Sequence, residues 1–94
     1  MTIRSWNCDD TRRVFDGEKV AKWSTRLGRK AERKLRMLHA AISIVDLRIP
    51  PGNALEKLEP KSSNRWSIRI NRQWRICFVW RNGDAYHVEI VDYH

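Results

Sequence analysis

Cysteine, proline and glycine are scarce in this chain, and so are acidic residues. Two cysteines in 94 residues, Cys8 and Cys77, cannot build a disulfide framework. They form no CxxC pair and show no zinc-ligand spacing, so reduced thiols and a cytoplasmic setting are expected. No apolar run approaches the roughly 20 residues of a membrane-spanning helix. The opening residues, Met1 to Trp6, also lack the apolar core of a secretory signal, so no membrane association is expected. Three prolines and four glycines leave no low-complexity tract, repeat or interdomain linker. Eleven Asp+Glu stand against nineteen Lys+Arg, and no acid falls between Lys61 and Arg81, where six cations do. A net charge of +8 on so small a protein implies a polyanionic partner, either nucleic acid or a strongly acidic protein.

The chain does contain apolar mass: 41% of residues are hydrophobic, five of them tryptophan, which indicates one globular domain over 1–94. A β-branched and aromatic stretch at 2–6 predicts an edge strand. Asp9, Asp10 and Thr11 supply caps for a short helix at 12–16 that Gly17 would end, and a polar connection carrying Trp23 follows. Leu27, Ala31, Leu35, Leu38 and Ile42 recur at helical spacing and predict the main helix over 26–42, with Met37 and Ala41 widening its apolar stripe. Its other face holds Arg26, Arg29, Lys30, Arg33, Lys34 and Arg36 against Glu32 alone, and it reads as a solvated face first and an anion-binding surface second. Ser43 can cap a turn through Asp46 and Leu47, and Pro50-Pro51-Gly52 interrupts regular structure. Residues 54–59 alternate apolar and charged as a strand, 60–64 form a loop, and two hairpins complete the chain. Helices first and a meander last imply an α+β fold, with an N-terminal strand and helices packed on one face of a mainly antiparallel sheet.

Alternation fixes the register of the last third. Trp66, Ile68 and Ile70 make one apolar set, and Trp74, Ile76, Phe78 and Trp80 make the next, so these tryptophans belong to the core. A three-residue loop at Asn71, Arg72 and Gln73 pairs Ile68 with Ile76 and Trp66 with Phe78, which sets Arg69 against Arg75. Like charges facing across a ladder are unfavourable, and an anion held between them would remove the conflict. A loop at Asn82, Gly83 and Asp84 would pair Trp80 with Tyr86, Phe78 with Val88 and Ile76 with Ile90. The opposite face then collects Arg69, Arg75, His87, Glu89, Val91 and Tyr93, close to His94.

Guanidinium forks on such a face suit phosphates, and aromatic rings suit unpaired RNA bases. RNA can be cut without metal when its own 2′-hydroxyl attacks the adjacent phosphate. That reaction needs a base, donors for the developing phosphorane charge and an acid for the leaving oxygen. Arg69 and Arg75 can stabilise the charge, Tyr93 or His94 can handle protons, and Glu56 or Glu59 can serve as base. Lys57, Lys61, Arg65, Arg72 and His87 are the candidate RNA-backbone contacts. Glu56 and Glu59 could instead pair with Lys57 or Arg72, and His39 reads as structural. No metal or cofactor is expected.

Four stretches carry a family resemblance: Met1-x-Ile3-Arg4-Ser5-Trp6, Leu47-Arg48-x-Pro50-Pro51-Gly52-Asn53, Trp66-Ser67-Ile68-Arg69-Ile70-Asn71-x-Gln73-Trp74-Arg75-Ile76-Cys77-Phe78, and Val88-Glu89-Ile90-Val91-Asp92-Tyr93-His94. They resemble the HigB toxins of the RelE/ParE superfamily of toxin–antitoxin modules over essentially the whole chain. The resemblance implies a compact RelE-like fold and a ribosome-dependent endoribonuclease that cleaves mRNA in the ribosomal A site. It also implies a HigA-like helix-turn-helix antitoxin and contact with operator DNA only through that complex. By position, Arg69 and Arg75 match the family's sheet arginines, and Tyr93 and His94 its C-terminal pair. The chain departs where many relatives have Leu-His-x-Leu-Lys-Gly: Glu56 stands in place of the His and Glu59 in place of the Lys, while Arg72 adds a charge in the turn. Two other classes compete: a toxin of the same fold acting by protein contact on a gyrase-type target, and a non-catalytic nucleic-acid-binding module.

Overall fold

The structure, a computed structural model, describes residues 2–93. Helix α1 spans Asp9–Phe15 and α2 spans Thr25–Ala40. Three short 3₁₀ turns follow at Ile44–Arg48, Pro51–Asn53 and Lys61–Ser63, interleaved with strands β1 (Glu56–Lys57), β2 (Arg65–Arg69), β3 (Trp74–Arg81) and β4 (Asp84–Asp92). The sheet order is β1-β2-β3-β4, each pair antiparallel. The helices cover one face: Val14, Ala31, Leu35 and Leu38 join Ile68, Ile70, Ile76, Phe78, Val88 and Ile90 in one core. The expected α+β layering therefore holds.

Local chemistry explains where each helix begins and ends. Cys8 occupies the N-cap of α1 and makes no side-chain cap bond; Asp9 and Asp10, expected before the helix, lie in its first turn. There they face the positive end of the helix dipole. The helix closes on Gly17, whose φ of 84° is open to glycine, as Gly17 N–H donates to Val14 O and Glu18 N–H to Arg13 O. In α2 the Ser24 side chain accepts the Leu27 N–H at 3.1 Å, an N-cap. The helix stops two residues before the expected end because Asp46 Oδ2 accepts both the Ile42 and Ser43 N–H groups at 2.9 and 3.1 Å. That capping box diverts the backbone and leaves Ile42, expected in the apolar stripe, 86% exposed.

Three sheet expectations need correction. The 2–6 segment is not a continuous strand: it touches β4 through two isolated parallel bridges, Ile3–Ala85 and Trp6–Val88. Between them the Ser5 hydroxyl takes the His87 N–H at 2.9 Å, which interrupts the ladder. The 54–59 strand shrinks to Glu56–Lys57, because Ala54 adopts a left-handed conformation and its carbonyl is taken by a side chain described below. The last hairpin turns on two residues, Asn82 and Gly83, both at positive φ, so Asp84 pairs with Arg81 and Trp80 with Ala85. A bulge then restores the expected pairing of Ile76 with Ile90: His87 and Val88 together face Phe78, with His87 at φ 54°. Tyr86 accordingly leaves the apolar face, with the Arg81 guanidinium 4.9 Å from its ring centre.

Trp66, Trp74 and Trp80 pack against the core as expected. Trp23, assigned to a polar connection, is itself core, edge-on to Trp74 at 5.9 Å. Among the described residues no helix is long and apolar enough to cross a membrane.

Candidate RNA-phosphate site

The β2–β3 ladder sets Arg69 against Arg75, the expected register. Asn71 organises the turn between them: its Oδ1 accepts the Gln73 and Trp74 N–H groups at 2.9 and 2.8 Å. Such a side-chain-to-backbone bridge fixes a three-residue loop. The two guanidinium groups bond different partners. Arg69 Nε donates to the Asn71 carbonyl at 3.1 Å. Arg75 lies back over β2 and is only 9% exposed. Its Nε donates to Ser67 Oγ at 2.8 Å, and its Nη2 to the Ala54 carbonyl at 2.6 Å.

These bonds leave donors over. Among the described residues, both Nη groups of Arg69 and Nη1 of Arg75 make no hydrogen bond. Among the described residues no carboxylate lies within 4.0 Å of Arg65, Arg69, Arg72 or Arg75. The Tyr93 ring centre sits 5.6 Å from the Arg75 guanidinium carbon, and the Tyr93 N–H donates to Gln73 O at 2.6 Å. The end of the sheet is thereby tied to the β2–β3 turn, and a cation–π contact aligns phenol and guanidinium. Arg69, Asn71, Arg72, Arg75 and Tyr93 line one open depression.

The other candidates separate from this group. Glu56, Lys57 and Arg65 line a neighbouring groove with Glu59, Cys77 and Glu89, and Tyr93 is the residue the two hollows share. Glu56 is exposed, opposite Ser67 in the ladder, and neither it nor Glu59 forms an ion pair with Lys57 or Arg72 among the described residues. Lys57 instead lies over the Trp66 ring at 5.3 Å. His87 sits at the bulge, in a recess lined by Asn7, Arg65, Cys77 and Glu89, beside Arg65 but outside the depression of Arg69 and Arg75. Lys61 sits on an exposed 3₁₀ turn and lines neither the depression nor the groove. His94 lies outside the described residues. Burial, opposed by nearby Arg65, pushes the Cys77 thiol up, which keeps it protonated and inert. Among the described residues no three His, Cys, Asp or Glu side chains gather to hold a metal ion.

The residues that the sequence reading passed over are the positioning ones. Ser67 and the Ala54 carbonyl hold Arg75; Asn71 shapes the turn. Asn53, fully buried, donates to the Leu47 and Ile49 carbonyls and accepts from Lys34, and so anchors the segment carrying Ala54. Asn71 carried a turn signal in the sequence; the others carried none, since their role depends on contacts across the fold.

An α+β fold that gathers, on one open depression, a tyrosine and arginines without a carboxylate partner among the described residues has the donors that phosphate recognition needs. The model of the HigB-like toxins, RelE-like toxins of type II toxin–antitoxin systems, matches residues 4–94, and the chain belongs to that family. The expected RelE-like fold is thus borne out. An uncharacterized protein of Haemophilus influenzae is 41% identical over 73% of this chain and 68% of its own length. Toxin HigB-1 of Vibrio cholerae serotype O1 is 51% identical over 56% of each chain. Endoribonuclease HigB of Proteus vulgaris is 36% identical over 65% of each chain. The matched stretches thus span between about half and two thirds of these relatives.

Proposed function

We propose that this toxin is a ribosome-dependent endoribonuclease that cleaves mRNA in the ribosomal A site and so stops translation. The observation carrying this reading is the depression in which Arg69 and Arg75 present N–H donors with no hydrogen-bond partner and no counter-carboxylate among the described residues, beside the Tyr93 ring. Membership of the HigB-like family, and the likeness to Endoribonuclease HigB of Proteus vulgaris, support RNA as the substrate.

In this mechanism the attacking group is the 2′-hydroxyl of the RNA itself. Arg69 and Arg75 neutralise the charge that builds on the non-bridging oxygens. Arg75 acts from a nearly buried position, where the field of a charge is screened less than in water. Tyr93, with His94, transfers protons at the leaving 5′-oxygen. Glu56 approaches from the groove on the other side of Tyr93 and takes the 2′-hydroxyl proton. Lys57, Lys61, Arg65 and Arg72 hold the backbone on either side. His87, in the recess it shares with Arg65, serves as an outlying contact. The reaction draws its charge stabilisation from arginine and requires no cofactor. A HigA-like helix-turn-helix antitoxin keeps the toxin silent in the cytoplasm, and operator DNA is reached only through that complex.

Expression of the chain alone should arrest growth and create new 5′ ends inside translated mRNAs, read by primer extension. Purified protein should cut mRNA only when ribosomes are present. Arg69→Ala is the cleaner variant, because Arg75 also ties β2 to the Ala54 carbonyl. Arrest that survives Arg69→Ala and Tyr93→Phe, or failure of plasmid supercoiling with intact mRNA, would sink this reading and favour a protein target.

A further inference from the structure

The cleavage mechanism leaves the first half of α2 without a task. Arg26, Arg29, Lys30 and Arg33 are all exposed, and none has a carboxylate within 4.0 Å among the described residues. Arg26 lies in the first turn, at the positive end of the helix dipole where cations are disfavoured, and that turn holds no acid. Arg26 and Lys30, and Arg29 and Arg33, are also like-charged pairs four residues apart, which repel. Folding alone gains nothing from this arrangement.

Its position supplies the reason. A shallow depression lined by Ser24, Arg26, Leu27, Lys30 and Asn71 adjoins the phosphate site, and Asn71 is a wall of both. Arg33 continues the line, one helical turn beyond Lys30. Arg29 points elsewhere, into a hollow with Glu18, Lys19 and Glu32. The track bears cations and no exposed ring, so it suits a backbone of phosphates rather than stacked bases. It also leads out of the phosphate site instead of standing apart from it, which favours the same strand over a separate acidic protein. We propose that Arg26, Lys30 and Arg33 hold the backbone of the RNA strand whose scissile phosphate lies between Arg69 and Arg75, the strand crossing the sheet's edge at Asn71. The proposal rests on the nuclease reading and extends it to a strand-binding surface on α2.

The test compares two 2′-O-methylated RNA strands, which cannot supply the nucleophile: a trinucleotide that fills only the sheet site and a dodecanucleotide that reaches α2. The variant carries Arg26→Gln, Lys30→Gln and Arg33→Gln together, with its fold checked by circular dichroism. A control carries Lys19→Gln, Lys22→Gln and Arg48→Gln, the same charge removed elsewhere. Binding of the dodecanucleotide at about 0.1 M salt should weaken about 10- to 100-fold in the α2 variant, with the salt dependence of log K shallower by about 2. Trinucleotide binding should not change, and the control should bind both strands like wild type. Wild-type dodecanucleotide binding by the α2 variant overturns the proposal, as does an equal loss in the control. Unchanged RNA binding with lost antitoxin affinity overturns it too, by identifying a protein as the occupant. The nuclease reading fails separately: a wild-type chain that never cuts mRNA on ribosomes, yet binds the long strand through α2, loses the reaction and keeps the track.

Discussion

Helices α1 and α2 share the core, and they treat their arginines in opposite ways. In α1 the acids lie at the front and the arginines behind them. Arg12 bonds Asp9 at 3.0 Å and Asp16 at 2.6 Å, while Arg13 bonds Glu18 at 3.1 Å and lies 3.6 Å from Asp10. The hydrogen bond that Arg12 donates to Asp9, and the Asp9 charge, hold the Arg12 guanidinium above its ordinary pKa. In α2 one pair, Glu32 with Arg36, serves a helix of 16 residues crowded with cations. Arginines with local partners serve the fold. Cations kept without them, and crowded against each other, are held ready for an anion that is not part of the chain.

The sheet repeats the contrast at shorter range. Arg75 is committed to Ser67 and Ala54 and contributes to folding and binding together; Arg69, exposed, is almost wholly uncommitted. Arg75→Ala should therefore have the largest effect. Ribosome-dependent cleavage should fall about 100- to 1,000-fold, as for loss of one transition-state donor. Urea denaturation should also show a stability loss of about 1–3 kcal/mol, from the polar partners left unsatisfied. Stability loss with full activity would reduce Arg75 to a structural tie. Tyr93→Phe keeps the ring beside Arg75 and removes only the hydroxyl that transfers the proton, so single-turnover cleavage should drop about 100-fold with an unchanged melting temperature. An active Phe variant would assign Tyr93 to packing alone.

Arg69→Ala should lower cleavage about 10- to 100-fold while moving stability by less than about 0.5 kcal/mol, which separates the uncommitted arginine from the committed one. Removing Arg12 from α1 should do the reverse: a small drop in melting temperature, with cleavage and RNA binding at wild-type levels. If Arg12→Ala impaired RNA binding as much as loss of the α2 cations, the contrast between the helices would collapse. The smallest effect concerns pH at the end of α2. Hydrogen bonds from the Ser43 and Ile42 N–H groups hold the Asp46 carboxyl below its ordinary value of 3.8. Its contribution is thus complete above that value and disappears as pH falls through the lowered one. The Ile42 and Ser43 amide resonances should report a midpoint below 3.8.

Much of this was legible in the chain. The period of two in 66–80 fixed the β2–β3 register, because one face had to be buried and a slip of one residue would have exposed it. The same argument failed at the last hairpin for a local reason. Asn82 and Gly83 accept positive φ cheaply, so the turn closed on two residues, and a bulge at His87 absorbed the difference. The main helix was visible from its stripe, but its end was not, because Asp46 reaches back to the backbone from the next turn.

The sequence by itself determined the α+β layering, the positive field and the meeting of Arg69 with Arg75, since charge and alternation are properties of residue order. Only the tertiary structure decided which cations are free. An arginine's hydrogen-bond partners come from distant segments, Ala54 for Arg75 and Phe15 for Arg36, and a linear pattern does not contain them. The shared wall at Asn71, which joins α2 to the sheet site, likewise exists only once helix and turn are packed side by side.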